Sequence, residues 1–160
     1  MTTIQRIKHA HCENLTAAVC PSLRRVDRAR SIREYTTDDF EHIPTLQLGE
    51  DKKGKGNVNQ IHPTKADFLI VHKSDNEHIV VTMEEVFPLL TRQHTVHPWG
   101  CASVTSKKLC KEYGPWLSTE HLNDAVEAAA YRALNATAFK ARQAKARDEL
   151  FAHKDRLNAI

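Results

Sequence analysis

The sequence predicts an α+β fold: a small sheet built around a central β-hairpin at 67–83, with N-terminal helices and a long C-terminal helix. Two β-branched and aromatic runs, DFLIVHK at 67–73 and EHIVVTM at 77–83, flank the turn-forming residues Ser74, Asp75 and Asn76. An alanine-rich stretch from Glu120 to Leu157 contains neither glycine nor proline, the residues that most readily stop a helix. The 160 residues are 41% apolar and 27% charged, a composition that suits one globular domain with its own core.

The N-terminal residues MTTIQRIKHAHCENL have no continuous apolar run ahead of their first charges, so they do not read as a secretory signal. No stretch approaches the roughly 20 apolar residues that cross a bilayer. Glu13 and Asp27 interrupt the early arginines, which argues against an organelle presequence. The expectation is a cytoplasmic protein that does not engage a membrane. In that reducing setting Cys12, Cys20, Cys101 and Cys110 should be thiols or metal ligands rather than disulfides.

In PSLRRVDRARSIREY, residues 21–35, the apolar Leu23, Val26, Ala29, Ile32 and Tyr35 recur every three residues. That spacing predicts a short amphipathic helix starting at Pro21 and Ser22. Its arginines, Arg24, Arg25, Arg28, Arg30 and Arg33, carry planar forks of donors that match phosphate oxygens. Residues 36–41, TTDDFE, read as an N-cap and acidic first turn of a second helix that Pro44 ends. GEDKKGKGN at 49–57 is a loop bearing Lys52, Lys53 and Lys55. Glycine-rich backbone beside lysines can cradle phosphate, but this spacing is neither a P-loop nor a dinucleotide fingerprint.

A two-residue turn at Asp75 and Asn76 would set Val71 opposite Val80, Ile70 opposite Val81 and Phe68 opposite Met83. Both faces of such a ribbon are apolar, so it needs packed helices and further strands. The segments 45–48, 58–62 and 101–105 are the strand candidates, and Ile70, Val71, Val80 and Val81 should be core.

Trp116, Leu117, Ser118, Thr119 and Glu120 form an apolar lead-in, a cap and an acidic first turn. One continuous helix over 120–157 would be about 57 Å long. A domain of this size is only about 30–35 Å across. Residues 119–157 are therefore expected as a basic, alanine-rich helix that breaks, projects or mediates assembly. Arg132, Lys140, Arg142, Lys145 and Arg147 follow one another with no acid between them. Helix-dipole compensation favours cations only in the last turn, so this run suits a polyanionic partner.

Three groups of residues could carry chemistry. His94 and His97, with Cys101 and Cys110 downstream, offer imidazoles and thiols of the kind tetrahedral zinc takes. Pro98 and Gly100 imply a turn that would converge them; buried thiols and surface histidines are the plain alternative. Zinc is the sole cofactor these residues suggest. Asp67 at the head of the hairpin, with Glu84 and Glu85 at its far end, is similar to the hairpin of PD-(D/E)xK nucleases. That resemblance implies carboxylates holding Mg²⁺ at a scissile phosphate. The lysine of that motif has no counterpart, since Glu84 is followed by Glu85 and Val86. Finally, Trp99 and Trp116 flank Lys107, Lys108 and Lys111, where they could stack bases or join the core.

These features favour a non-enzymatic regulatory or binding protein. It would engage nucleic acid, a nucleic-acid-processing complex or an acidic protein surface through basic segments at 24–33, 52–55 and 132–147. A small metal-dependent nuclease, or a degenerate nuclease-like domain using Asp67, Glu84 and Glu85, is the alternative. A subunit docking into a homo-oligomer through its C-terminal helix is the third reading.

Overall fold

The computed structural model describes residues 15–16, 18–20, 23–25, 32–35, 45–50, 56–92 and 99–158, with backbone alone at 23–25, 32–35, 45–50, 92, 151 and 153–158. It is an α+β fold with two sheets. The larger sheet takes β1 (Leu23–Arg25), β2 (Ile32–Tyr35), β3 (Thr45–Glu50), β5 (Phe68–Ser74) and β6 (Glu77–Thr82) in that order. Neighbours are antiparallel except β3 and β5, which run parallel. The smaller sheet is antiparallel, with β8 (Ala102–Thr105) between β4 (Asn57–Ile61) and β7 (Thr91–Arg92). The numbered helices are α1 (Met83–Val86), α2 (Ser106–Tyr113), α3 (Leu122–Asn135) and α4 (Thr137–Asn158).

The described residues of 21–35 do not form the helix their spacing predicts. They supply β1 and β2, paired antiparallel with Arg24 opposite Glu34 and Arg25 opposite Arg33. The physical reason lies in the spacing itself. A step of three residues falls short of the 3.6-residue turn, so the apolar positions spiral around a helix instead of forming one stripe. Ile32 and Tyr35 of β2 also favour a pleated strand. The expected helix at 36–43 lies outside the described residues. The expected strands at 45–48, 58–62 and 101–105 correspond to β3, β4 and β8.

The ribbon of β5 and β6 turns at Asp75 and Asn76, and Ser74 pairs with Glu77. Beyond that pair the register departs from expectation. Lys73 is an extra residue between His72 and Ser74, a bulge that slides the strands by one position. Val71 therefore faces Ile79, Ile70 faces Val80, and His72 faces His78. Phe68 faces Thr82 instead of Met83, and Met83 opens α1. Thr82 caps that helix: its Oγ1 accepts from Glu85 N at 3.1 Å, while Glu85 Oε1 accepts from Thr82 N at 3.0 Å.

Both faces of the ribbon are buried, as their composition requires. Leu69, Val71, Ile79 and Val81 pack with Val58, Ile61, Val104, Leu109 and Met83. On the other face Phe68, Ile70 and the half-buried Val80 meet Leu122, Val126, Ala129 and Ala130 of α3, with Cys20. Side chains of this size each contribute about 1.5–3 kcal/mol when fully buried. The ribbon is thus the centre of the fold.

The C-terminal stretch breaks at Ala136, whose φ of −83° and ψ of 57° are non-helical. Ala129 and Ala130 belong to one core cluster while Phe139 and Ala146 belong to the other, on opposite faces of the ribbon. One straight helix cannot serve both. Over its described side chains α4 does not project as a rod. Gln143 Nε2 donates to Pro63 O at 2.6 Å and Ala66 O at 2.8 Å. Arg147 Nη2 donates to Thr64 O at 2.7 Å, fastening α4 to the turn before β5. Among the described residues no helix is long and apolar enough to cross a membrane.

Candidate functional site

The most chemically suggestive surface lies where β8 passes into α2. Gly56, at φ +61°, adopts the left-handed backbone that glycine favours, and its carbonyl accepts from Ser106 N at 2.8 Å. Thr105 then caps α2 by accepting from Lys108 N at 3.2 Å through Oγ1. Ser106 and Leu109 are the buried residues of this helix, and Lys107, Cys110 and Lys111 stand beside Ser106 on the side away from Leu109. With Lys73 and Trp116 they line an open cavity of about 370 Å³.

Each wall has a structural cause. Gly114 follows α2 so closely that a Cβ there would lie 2.9 Å from Cys110 Sγ and collide with the Cys110 carbonyl. His78 and Leu117 exchange backbone hydrogen bonds of 2.8 and 2.7 Å, which fixes Trp116 beside the ribbon. The bulge at Lys73 turns that lysine across the indole, with Nζ 5.5 Å from the ring centroid. Lys73 also pairs with Glu77 at 3.7 Å, and both side chains are exposed. Such a pair contributes about 0–1 kcal/mol and can yield to a ligand.

Lys107, Lys108 and Lys111 are exposed, Trp116 and Cys110 are half-buried, and Ser106 is buried. Ser106 Oγ has no hydrogen-bond partner among the described residues. The Cys110 thiol is unpaired. Chemically, the site offers ammonium groups for an anion and an indole for a flat ring. The sequence pointed to Lys107, Lys108, Lys111 and Trp116; it did not reveal Lys73, which joins them through the bulge. Trp99 takes the other course. It is 8% exposed, stacks on Phe87 with centroids 4.2 Å apart, and belongs to the core.

The other sequence-predicted residues are distributed more widely. Arg24, Arg25 and Arg33 lie on β1 and β2. Arg28, Arg30, Lys52, Lys53, Lys55, His94 and His97 lie outside the described residues. Most of the cationic run at 132–147 has intramolecular contacts. Arg132 Nε meets Glu85 Oε1 at 3.0 Å, and Lys140 Nζ meets Asp67 Oδ1 at 3.6 Å. The Arg142 guanidinium sits 5.4 Å from the Trp99 centroid and 5.6 and 5.9 Å from those of Phe87 and Phe139. Arg147 is bonded to Thr64, and Lys145 is exposed.

Asp67 and Glu85 face different cations, and Glu84 is exposed. Cys101 and Cys110 are half-buried free thiols. Among the described residues, no group of three or more His, Cys, Asp or Glu side chains is arranged to hold a metal.

A second polar cluster, unanticipated from the sequence, lies inside the fold. His72 and His78 are buried, with their Nδ1 atoms 2.7 Å apart. His72 Nε2 lies 3.1 Å from Thr16 Oγ1, and His78 Nε2 lies 2.9 Å from Thr119 Oγ1. Burial lowers the pKa of His78, although the Asp75 carbonyl and the charges of Asp75 and Glu77 pull the other way. The signal was present in the two apolar runs, each of which carries a histidine near the turn.

No protein-family model matches the chain, and no curated protein or solved structure matches it either.

Proposed function

We propose that the protein binds nucleic acid, and single strands in particular, through the cationic surface of α2 and the indole of Trp116. The supporting observation is Trp116 held half-buried beside Lys73, Lys107 and Lys111 around one cavity. Binding to a single strand requires cations that follow the phosphates and an aromatic face on which an unpaired base stacks. Duplex reading instead requires an element that enters a groove. Lys108 extends the same cationic helix face beyond the cavity. The run at 132–147 supports this reading less, because contacts with carboxylates, carbonyls and rings already occupy much of it.

The test is fluorescence anisotropy with a labelled single-stranded oligonucleotide over a salt series. Affinity should fall as salt rises, with a log–log slope of about −0.7 per phosphate contacted. A Lys107→Glu, Lys111→Glu double variant should bind at least about tenfold more weakly and show a shallower slope. Absence of binding at low salt, or the same affinity in the variant, would overturn the proposal.

A further inference from the structure

We infer that the cavity beside α2 receives one nucleoside phosphate unit, its base stacked on Trp116 and its phosphate held by Lys107 and Lys111. This inference rests on the single-strand reading above and narrows it to a unit of recognition. The cavity, at about 370 Å³, is near the lower end of the roughly 300–1,000 Å³ typical of small-ligand sites. It has one aromatic wall, Trp116, and so one place for a base. Lys73 lies over the indole and swings aside for the base, as its exposed pair with Glu77 allows, while Lys107 and Lys111, one turn apart on α2, provide the anion-binding side.

Two observations favour a phosphate over a merely flat ligand. Ser106 opens the eight-residue α2, whose N-terminal end carries the positive end of the helix dipole. Ser106 also forms part of the cavity wall, is 9% exposed, and has a hydroxyl without a partner among the described residues. A buried hydroxyl left without a partner is costly, and rotation of the Ser106 side chain toward the cavity would offer its proton to a phosphate oxygen seated against α2. The ammonium groups then supply the countercharge without any acid among the cavity-lining residues.

The same unit occurs as a free nucleotide and as the terminal nucleotide of a single strand. Binding is read by quenching of Trp116 fluorescence, with Trp116→Phe giving the contribution of Trp99. Wild-type protein is titrated with adenosine 5′-monophosphate, adenosine, inorganic phosphate, and one oligonucleotide with and without a 5′-phosphate. The monophosphate should saturate the quenching, with adenosine and phosphate each about tenfold weaker or worse. Ser106→Ala, which should keep its melting temperature, should weaken monophosphate binding several-fold. Competition between the monophosphate and the 5′-phosphorylated oligonucleotide would identify the terminal nucleotide as a source. Binding of the monophosphate without that competition would identify the free nucleotide. An oligonucleotide that binds equally with or without its 5′-phosphate, while the monophosphate does not bind, would overturn the inference and leave the single-strand reading standing. Failure of every ligand would remove both.

Discussion

His72 Nδ1 lies 2.7 Å from His78 Nδ1 across the ribbon, with the two rings nearly perpendicular at 87°. The proton positions follow from the partners. Thr119 Oγ1 donates to the Asp75 carbonyl at 2.5 Å, so His78 Nε2 must donate to Thr119. His78 Nδ1 is then the acceptor, and His72 Nδ1 carries the shared proton. With both rings neutral, the Thr16 hydroxyl donates to His72 Nε2. Both rings are neutral in this arrangement, and a second proton between the facing nitrogens would break it.

Stability should therefore depend on pH. His78 has a pKa lowered by burial, so the unfolded chain binds a proton more readily than the fold does. The stabilisation is complete above the ordinary value of 6.5 and falls as pH drops through 6.5 toward the lower folded pKa. His62, lowered mainly by burial as well, acts in the same direction. Melting temperatures measured from pH 8 to pH 5 should be level at first and then fall. Replacing His78 with Asn should flatten the fall; an unchanged profile would exclude the histidine pair as its source.

Cys20 is fully buried, and burial pushes its thiol up to about 12. In native protein at pH 8 it should resist iodoacetamide, because the thiolate is the reactive form. The half-buried Cys101 and Cys110 should be alkylated first. Mass spectrometry of peptides after a timed reaction tests this, and early labelling at Cys20 would contradict the packing of that segment against Phe68 and Ile70.

The ribbon makes a graded prediction at adjacent positions. Val81 is fully buried and Val80 half-buried. Val81→Asp should leave an unpaired buried charge and prevent folding, a loss of several kcal/mol. Val80→Asp should be the milder substitution, since its carboxylate reaches water. Leu69→Ala should cost about 2–5 kcal/mol in urea unfolding. If Val80→Asp proved the more damaging of the two aspartates, the ribbon would not bury Val81 in preference to Val80.

Gln143 is 4% exposed and donates both of its amide protons to backbone carbonyls. Gln143→Leu should leave Pro63 O and Ala66 O without that donor and cost about 1–3 kcal/mol. Chemical denaturation would show it as a lower midpoint with an unchanged slope. A neutral result would mean that α4 is held by its other contacts, the packing of Phe139 and Ala146 and the bonds of Arg147 to Thr64.

The central hairpin was legible in the sequence because β-branched runs and Asp75-Asn76 pointed to the same structure. Its exact pairing was not. A bulge at Lys73 leaves no trace in composition, yet it displaces every pair from His72 to Phe68. Residues 21–35 misled because a three-residue apolar repeat resembles a helix face locally while drifting off it over several turns. The length of the C-terminal stretch required an interruption, but Ala136 has no side-chain property that marks it. Trp99 and Trp116 are alike in local sequence, each beside a proline and near a glycine. Only packing sends one to Phe87 and leaves the other beside Lys73.

The single unpaired residue in the hairpin makes chain length, apart from residue identity, a means of altering the cavity. Deleting Lys73 would leave Ser74 opposite Glu77 and His72 opposite His78 as consecutive pairs of a regular two-residue hairpin. The buried pairings from His72 to Phe68 would keep their partners, and the indole of Trp116 would lose its covering cation. A one-codon deletion could thus uncouple the surface chemistry of this ribbon from its core, which no substitution at a paired position would do as cleanly.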